Sequence, residues 1–131
     1  MTTVDEYFVR VRVLVLGVAD AQVERYEEQI LSATRGNLRI RLRFGDQSLL
    51  EISEAIVLVG GEPHWLAYRY HYQSSPAILV FRYDNAPHHV EVATHPDHKH
   101  SAEDVLASTH PSIEQILPEV EVIRGQTVGR N

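Results

Sequence analysis

Histidine is concentrated in one short segment of this 131-residue chain. Of its eight histidines, five lie between residues 88 and 100, at the end of the stretch FRYDNAPHHVEVATHPDHKH that starts at Phe81. Imidazole is the side chain whose unperturbed pKa lies nearest neutrality, so groups of histidines suit general acid–base catalysis. It is also the commonest nitrogen ligand of zinc, nickel and copper ions. The segment therefore predicts proton transfer or metal binding.

Alternation along the segment suggests which of these side chains act together. In an extended backbone His98 and His100 share one side, whereas His88 and His89 point to opposite sides. A carboxylate just before them, Asp84, could orient a neighbouring imidazole and raise its basicity. We therefore expect catalytic roles for six residues: His71, Asp84, His88, His89, His98 and His100. Four of them, His88, His89, His98 and His100, are also the candidate ligands of a divalent metal ion. The alternative is that the histidines only hold an irregular loop by bonding backbone carbonyls.

Basic residues accompany the histidines on two neighbouring predicted strands, YRYHYQ and ILVFRYDN. Arg69 and His71 share one face of the first strand, and Arg82 and Asp84 share one face of the second. Whether the two pairs lie on the same face depends on the register set by the turn at residues 74–76. A slip of one residue would move all side chains of one strand to the opposite face. Arginines beside a histidine could hold a phosphodiester, so we assign Arg69, Arg82 and Lys99 to substrate binding. The alternative is a solvated sheet face with cross-strand pairs.

A second basic group is the ridge formed by Arg39, Arg41 and Arg43 in the sequence LRIRLRF. These arginines alternate with apolar residues, so they project from the face opposite the core. Such a ridge can follow a phosphate backbone. More often it faces water and pairs with nearby glutamates.

The elements that position these residues are predicted from hydrophobic periodicity. Apolar residues at helical spacing, with Thr3 and Glu6 as a capping box, predict a helix over residues 4–16, although Val9 to Val15 also alternate as in a strand. Residues 23–34 could be helical by propensity, but the Arg-Gly-Asn turn and the alternating strand that follow favour a hairpin. The turns GDQS, GGEP and SSP then separate further strands, which predicts an antiparallel meander over residues 23–84.

The remainder is predicted to be a histidine-rich loop over residues 85–100, with a short strand at residues 90–92, and a helical part over residues 101–123. Residues 101–104 are predicted to open a helical turn, and Ser112 with Gln115 resembles a capping box for a helix kinked at Pro118. The prediction is one α+β domain over residues 1–131, with four to six antiparallel strands flanked by N-terminal and C-terminal helices. The apolar stripe from Ile113 to Ile123 is also a candidate surface for a partner or a homodimer.

Composition excludes several classes of function. The absence of cysteine removes disulfides, thiolate metal sites and thiol nucleophiles. A net charge of −6 argues against a protein that coats nucleic acid over its whole surface. No apolar run approaches the roughly 20 residues of a membrane span, and acidic residues near the amino terminus argue against a targeting segment, so we expect a cytoplasmic protein. Glycine-rich phosphate loops and the GxSxG nucleophile elbow are also absent.

The motifs YRYHYQ, FRYDNAPHH and THPDHKH resemble those of the TumE-type toxins of bacterial and archaeal toxin–antitoxin systems. That family has a Tyr-x-Tyr-His strand, an Arg-Tyr/Trp-Asp-Asn-Ala-Pro-His-His turn and a Pro-His-His-x-His segment. Here the last motif has Asp97 before His98, where the family often has two histidines. The stretch GDQSLLEISE is similar to the family's Gly-Ser-x-Leu-x-x-x-Glu strand. The resemblance covers roughly residues 23–120.

The resemblance implies a toxin whose partner is a helix-turn-helix antitoxin encoded nearby. Two hypotheses about its action follow. The first is a ribonuclease in which histidines act as acid and base on RNA and arginines clamp the phosphate. The second is a non-enzymatic regulatory module that binds a metal ion or a nucleotide through the histidine-rich loop.

Overall fold

A computed structural model of the chain describes residues 1–128. Within that range it contains two helices and seven strands: α1 (Val4–Leu16), β1 (Ala21–Ser32), β2 (Arg35–Phe44), β3 (Leu49–Val59), β4 (Glu62–Ser74), β5 (Ile78–Asp84), β6 (His98–His100), β7 (Val105–Ala107) and α2 (Ile113–Val128). None of the helices in these residues is both long enough and apolar enough to cross a membrane.

The seven strands form one sheet in which each strand pairs with the next along the chain, always antiparallel. This confirms the prediction of an α+β fold in which terminal helices flank an antiparallel meander. The sheet has more strands than the four to six that were predicted. The difference comes from β6 and β7, which are three residues each and lie in segments predicted to be loop and helix.

Helix α1 has the predicted bounds, and its side chains explain why it is not a strand. The Thr3 hydroxyl accepts a hydrogen bond from the Glu6 backbone N–H at 3.3 Å, which caps the helix. The helical stripe is buried, and it consists of Val4, Tyr7, Phe8, Val11 and Val15. By contrast Val9 and Val13, which supply part of the alternating pattern, are exposed. Burial of the stripe against the sheet therefore favours the helix.

Residues 21–44 form the predicted hairpin, with Ala21 opposite Phe44 and Ser32 opposite Arg35. Helical propensity in β1 is overridden because β2 offers backbone partners along nearly its whole length, with register shifts at residues 23–25 and 30–32. Gly36 is needed beside the hairpin turn, since a Cβ there would lie 2.9 Å from the Phe8 ring. The absence of a side chain lets α1 pack closely on β2.

The two faces of the sheet differ in character. One face packs against α1 and α2 and includes Leu38, Ile40 and Leu42 of β2 and Tyr68, Tyr70 and Tyr72 of β4. The other face, which we call the open face, carries the residues that alternate with these core side chains. On β2 to β6 these include Arg39, Arg41, Glu51, Ser53, Arg69, His71, Arg82, Asp84, His98 and His100. The chemically active side chains are therefore on the face that the helices leave uncovered.

The segment after β5 differs from the prediction in three places. Residues 90–92 lie in turns rather than a strand, and Val90 is exposed. Residues 101–104 do not form a helical turn, because the Ser101 N–H donates to the Asp104 carbonyl and closes the β6–β7 hairpin. The predicted helical part over residues 101–123 is therefore wrong in its first half, which contains β7. The paired edge of β5 supplied backbone partners that the sequence pattern does not reveal.

Helix α2 begins at the predicted residue and extends beyond the predicted end. The Ser112 N–H donates to the Gln115 side chain at 2.9 Å, as in a capping box. Its stripe packs on the chain's own sheet, with Ile113, Ile116 and Val120 buried. The stripe therefore gives no independent support to the expected homodimer.

Candidate functional site

The register of β4, β5 and β6 places six of the predicted site residues on the open face. Asp84 lies opposite Arg69 on one side and opposite His98 on the other. In the next row Arg82 lies opposite His71 and His100. Directly opposed residues in antiparallel strands point to the same face. The register question that the sequence left open is thereby resolved, and arginines, histidines and a carboxylate form two adjacent rows.

Asp84 is the centre of the histidine group. Its Oδ1 lies 2.9 Å from His98 Nε2, and its Oδ2 lies 3.7 Å from His100 Nε2. The Nε2 atoms of the two histidines are 3.0 Å apart. The side chains of His98 and Asp84 are only 2% and 11% exposed, whereas that of His100 is 23% exposed. One imidazole of the group can therefore be reached from solvent while the carboxylate and the other imidazole support it.

The loop between β5 and β6 adds a third imidazole. His89 packs edge-on against both strand histidines, with its ring centroid 4.9 Å from that of His98 and 5.3 Å from that of His100. The loop is held by the His95 ring, whose Nδ1 lies 3.2 Å from the His89 carbonyl. We call Asp84, His89, His98 and His100 the histidine centre. One ligand atom from each of its three histidines lies within 4.8 Å of the others.

Two predicted site residues lie outside the centre. His88 is exposed, and its side chain has no hydrogen bond, ion pair or ring contact within residues 1–128. Lys99 points to the helix-covered face, where its Nζ lies 4.8 Å from the centroid of the Tyr83 ring and 3.4 Å from Glu119 Oε2. The geometry therefore separates Lys99 from Arg69 and Arg82, which lie on the open face.

The hydrogen bonds of His98 indicate that a proton or a metal ion belongs between its Nε2 atom and the Asp84 carboxylate. Its Nδ1 lies 2.9 Å from the Pro96 carbonyl, which can only accept, so Nδ1 carries a proton. The Nε2 atom of a neutral ring would then direct a lone pair at the Asp84 carboxylate. That contact is favourable when a proton or a metal ion lies between the two atoms. Burial lowers the pKa of His100, so its imidazole is neutral near pH 7.

His71 is held in a different state. Arg82 Nε donates to His71 Nδ1 at 3.2 Å, and His71 Nε2 donates to the Gln73 side chain at 2.8 Å. Burial lowers the pKa of His71, and the charges of Arg82 and Arg69 lower it further. A protonated His71 would direct an N–H at the Arg82 N–H. The arrangement makes His71 a positioning residue for the Arg82 guanidinium, whose terminal nitrogens remain available on the open face.

A buried polar network beside the centre was missed in the sequence. Glu54 occupies a core-facing position of β3 and accepts hydrogen bonds from the hydroxyls of Tyr7 and Tyr70 and, at 2.9 Å, from Trp65 Nε1. Burial raises the pKa of Glu54, and these three donors oppose the rise. The signal was present, because alternation along LLEISEAI places Glu54 in line with Leu50 and Ile52.

His110 extends this network towards the histidine centre. Its Nε2 lies 2.8 Å from the Tyr70 hydroxyl, and its ring stacks on Tyr68 with centroids 3.8 Å apart. The Tyr68 hydroxyl donates to Asp97 Oδ1 at 2.8 Å, immediately before His98 in the chain. Burial lowers the pKa of His110 to about 4. The network packs beside the core and reaches the residue before His98, so we interpret it as a support for the start of β6.

Comparison with known proteins agrees with the motifs quoted above. A family model described as Toxin TumE matches residues 11–126, a range that includes the whole sheet and the histidine centre. A search of curated proteins gave no match, and a search of solved structures also gave none. The match to the family model extends over far more than half of the sequence. The chain therefore belongs to the TumE toxin family.

Proposed function

We propose that this toxin is a ribonuclease whose proton transfer is carried by the histidine centre. The observation that supports the proposal most directly is a cluster of three imidazoles, two of which contact the Asp84 carboxylate, beside Arg82 and Arg69 on the open face. Membership of the family makes the chain the toxin of a toxin–antitoxin system, with an antitoxin as its partner. RNA cleavage requires a general base and a general acid, and the imidazoles of the histidine centre can supply both.

Cleavage of RNA by its own 2′-hydroxyl needs one base and one acid. The base takes the 2′-hydroxyl proton while the oxygen attacks phosphorus, and the acid protonates the 5′-oxygen as its bond to phosphorus breaks. The products are a 2′,3′-cyclic phosphate and a free 5′-hydroxyl. His100, neutral and partly exposed, is suited to act as the base, and His89 is suited to act as the acid. Asp84 contacts His100, and the His98 ring packs against both His89 and His100, so these two residues are suited to orient the acid and the base.

Arg82 is suited to hold the reacting phosphate, and Arg69, in the adjacent row, is suited to hold RNA beside it. Arg82 lies opposite His100, and residues opposed in this way have Cβ atoms about 5 Å apart. Its Nε is engaged by His71, so the guanidinium is already oriented before substrate arrives. A preorganised cation stabilises the charge that develops on phosphate oxygens in the transition state.

The proposal is tested by RNA cleavage with purified variants. We expect His100→Ala and His89→Ala each to lower the cleavage rate by about 100-fold or more, because general acid and base groups typically contribute about 100- to 10,000-fold. The matched control is His64→Ala, since His64 is exposed and lies outside the centre. Cleavage that persists at the wild-type rate in both centre variants would show that the activity does not depend on these imidazoles.

A second candidate function is favoured by the contact between His98 Nε2 and Asp84, which can accommodate a metal ion. Three imidazole nitrogens and the Asp84 carboxylate could hold a divalent metal ion such as zinc, and the His98 Nδ1–H bond to a carbonyl is typical of a ligating histidine. The centre would then be a ligand cage of a regulatory module. In that case His88, the fourth predicted ligand, is too exposed to complete the set without movement of the loop.

Metal analysis of protein purified without a histidine tag, combined with cleavage assays, separates the two candidates. Cleavage that survives chelation supports direct acid–base chemistry by the imidazoles. Bound metal without any cleavage supports the regulatory module. Cleavage that is lost on chelation and restored by zinc would combine the two, with the ion bound by the centre of a ribonuclease.

We also propose that the antitoxin is a helix-turn-helix protein encoded by a neighbouring gene and that both act in the cytoplasm. The support is the resemblance of the quoted motifs to those of TumE-type toxins. Co-expression with the product of the adjacent gene, followed by pull-down, tests the pairing. Light scattering of the free toxin tests the expected homodimer, since a monodisperse monomer would contradict it.

A further inference from the structure

Two arginines in the middle of the open face have no partner within residues 1–128. Arg39 on β2 and Arg69 on β4 are both exposed, and neither side chain makes an ion pair or a hydrogen bond there. Two unpaired guanidinium groups on one face therefore require explanation in a chain whose net charge is −6.

The carboxylates near them in the sheet are already engaged. Asp84 lies opposite Arg69, but its oxygens contact His98 and His100. Glu27 lies opposite Arg39, but its Oε1 lies 3.3 Å from Arg25 Nε. Glu51 pairs with Arg41 at 3.4 Å. The three acids of this part of the face are thus in contact with other arginines or with histidines. The positive charges of Arg39 and Arg69 remain uncompensated.

The surface between the two arginines is recessed. Arg39 lies opposite Ser53, and Ser53 lies opposite Arg69, so the three form one row across β2, β3 and β4. On one side of the row is a groove of about 410 Å³, whose floor includes the small side chains of Ala55 and Ala67. A second depression, of about 210 Å³, borders the same three residues on the other side.

We propose that Arg39, Ser53 and Arg69 form a phosphate-binding subsite for the backbone of RNA, outside the histidine centre. Guanidinium groups bind phosphate oxygens in a bidentate manner, and a serine hydroxyl donates a further hydrogen bond. The inference rests on the proposed ribonuclease function, because it takes RNA as the ligand. It adds a second part of the surface, which binds the RNA backbone at a distance from the bond that is cut.

The sheet register gives the path of that strand. Arg69 lies opposite Asp84, so the subsite and the histidine centre occupy the same row of the open face. From β2 to β6 there are four strand spacings, about 19 Å at roughly 4.8 Å each. A single RNA strand of a few nucleotides can cross this distance. A net charge of −6 argues against contact with RNA over the whole surface and is compatible with contact along one part of the open face.

The experiment measures binding without cleavage. A fluorescent 12-nucleotide single-stranded RNA with 2′-O-methyl groups lacks the attacking hydroxyl, and its dissociation constant is measured by anisotropy at several salt concentrations. We expect Arg39→Ala and Arg69→Ala each to weaken binding about tenfold, the lower limit for a hydrogen bond to a charged group. Each should also reduce the slope of log Kd against log salt by about 0.7, the value for one lost phosphate contact with a single strand.

The matched controls are Arg25→Ala and Arg41→Ala, which remove the same charge from the same face but at residues already paired with glutamate. We expect them to change the dissociation constant less than twofold. Wild-type affinity and salt slope in the Arg39 and Arg69 variants would overturn the subsite, and so would equal weakening by the control variants.

Failure of the subsite can be told from failure of the ribonuclease proposal. If wild-type protein cleaves unmodified RNA but the Arg39 and Arg69 variants bind normally, only the subsite is wrong. If these variants bind more weakly but no RNA is cleaved, the subsite stands and the ribonuclease proposal is wrong. Absence of any RNA binding by the wild-type protein contradicts both.

Discussion

Acidification should destabilise this toxin through His110, a histidine that no motif singled out. Burial lowers its pKa to about 4, whereas a histidine in an unfolded chain has a pKa of about 6.5. In the fold its ring stacks on Tyr68 and contacts the Tyr70 hydroxyl. The nearest charge that favours protonation is Asp97, and its effect is smaller than that of burial. The folded protein therefore keeps His110 neutral where the unfolded chain would protonate it.

The sign and size of the effect follow from proton linkage. Between pH 6.5 and pH 4 the unfolded chain binds the extra proton, so the free energy of unfolding falls as the pH falls through this window. The contribution is complete above pH 6.5, and no more is lost below pH 4. The difference between the two pKa values corresponds to about 3.4 kcal/mol at about 1.36 kcal/mol per pH unit. Because the ring is only half-buried, we reduce this to about 1–2 kcal/mol to allow for solvent screening.

The assay is urea unfolding of the wild type and His110→Gln at pH 7 and pH 4.5. Glutamine keeps an N–H donor for the Tyr70 hydroxyl but does not titrate. We expect the wild type to lose about 1–2 kcal/mol more than the variant between these pH values. His71 and His100, whose pKa values are also lowered by burial, contribute equally to both proteins. An identical loss in the two proteins would refute the reasoning.

Three further substitutions test other parts of the structure. Asp84→Asn should lower RNA cleavage by about 100-fold or more without loss of the fold, because the amide cannot balance a cation on His98; cleavage within threefold of wild type would contradict this. His88→Ala should retain most of the cleavage activity, since the side chain lies outside the centre; an inactive, folded variant would restore the role that the sequence predicted for it. Glu54→Gln should lower the free energy of unfolding by about 2–4 kcal/mol, since one of its three buried donors loses its acceptor; chemical denaturation measures it, and a change below about 0.5 kcal/mol would show that the network contributes little.

Local patterns predicted much of the scaffold. Capping and helical spacing gave the bounds of α1, and alternation with turn residues gave β2 to β5. The strands β6 and β7 could not be predicted in this way, because each is three residues long and is fixed by the edge of β5. Tertiary pairing decides structure in segments too short to carry a periodicity of their own.

Part of the candidate site could also be predicted from local patterns. Alternation grouped His98 with His100, which share a face. Asp84 was predicted to orient a histidine, and its Oδ1 lies 2.9 Å from His98 Nε2, although its role stays a prediction. The same alternation places Lys99 on the opposite face, so its assignment to the substrate could have been avoided. His89 could not be separated from His88 by sequence, because an irregular loop sets their directions.

The neighbour-to-neighbour order of the sheet has a consequence for how the toxin arises during synthesis. Each strand can join the sheet as soon as it leaves the ribosome, because its partner is already present. Asp84 arrives with the fifth strand, but His98 and His100 arrive only with the sixth. On the proposed mechanism, a nascent chain therefore acquires the complete histidine centre only after β6 has joined the sheet. Ribosome-bound chains stalled at successive lengths should acquire cleavage activity only after residue 100 has emerged, and earlier activity would contradict this order.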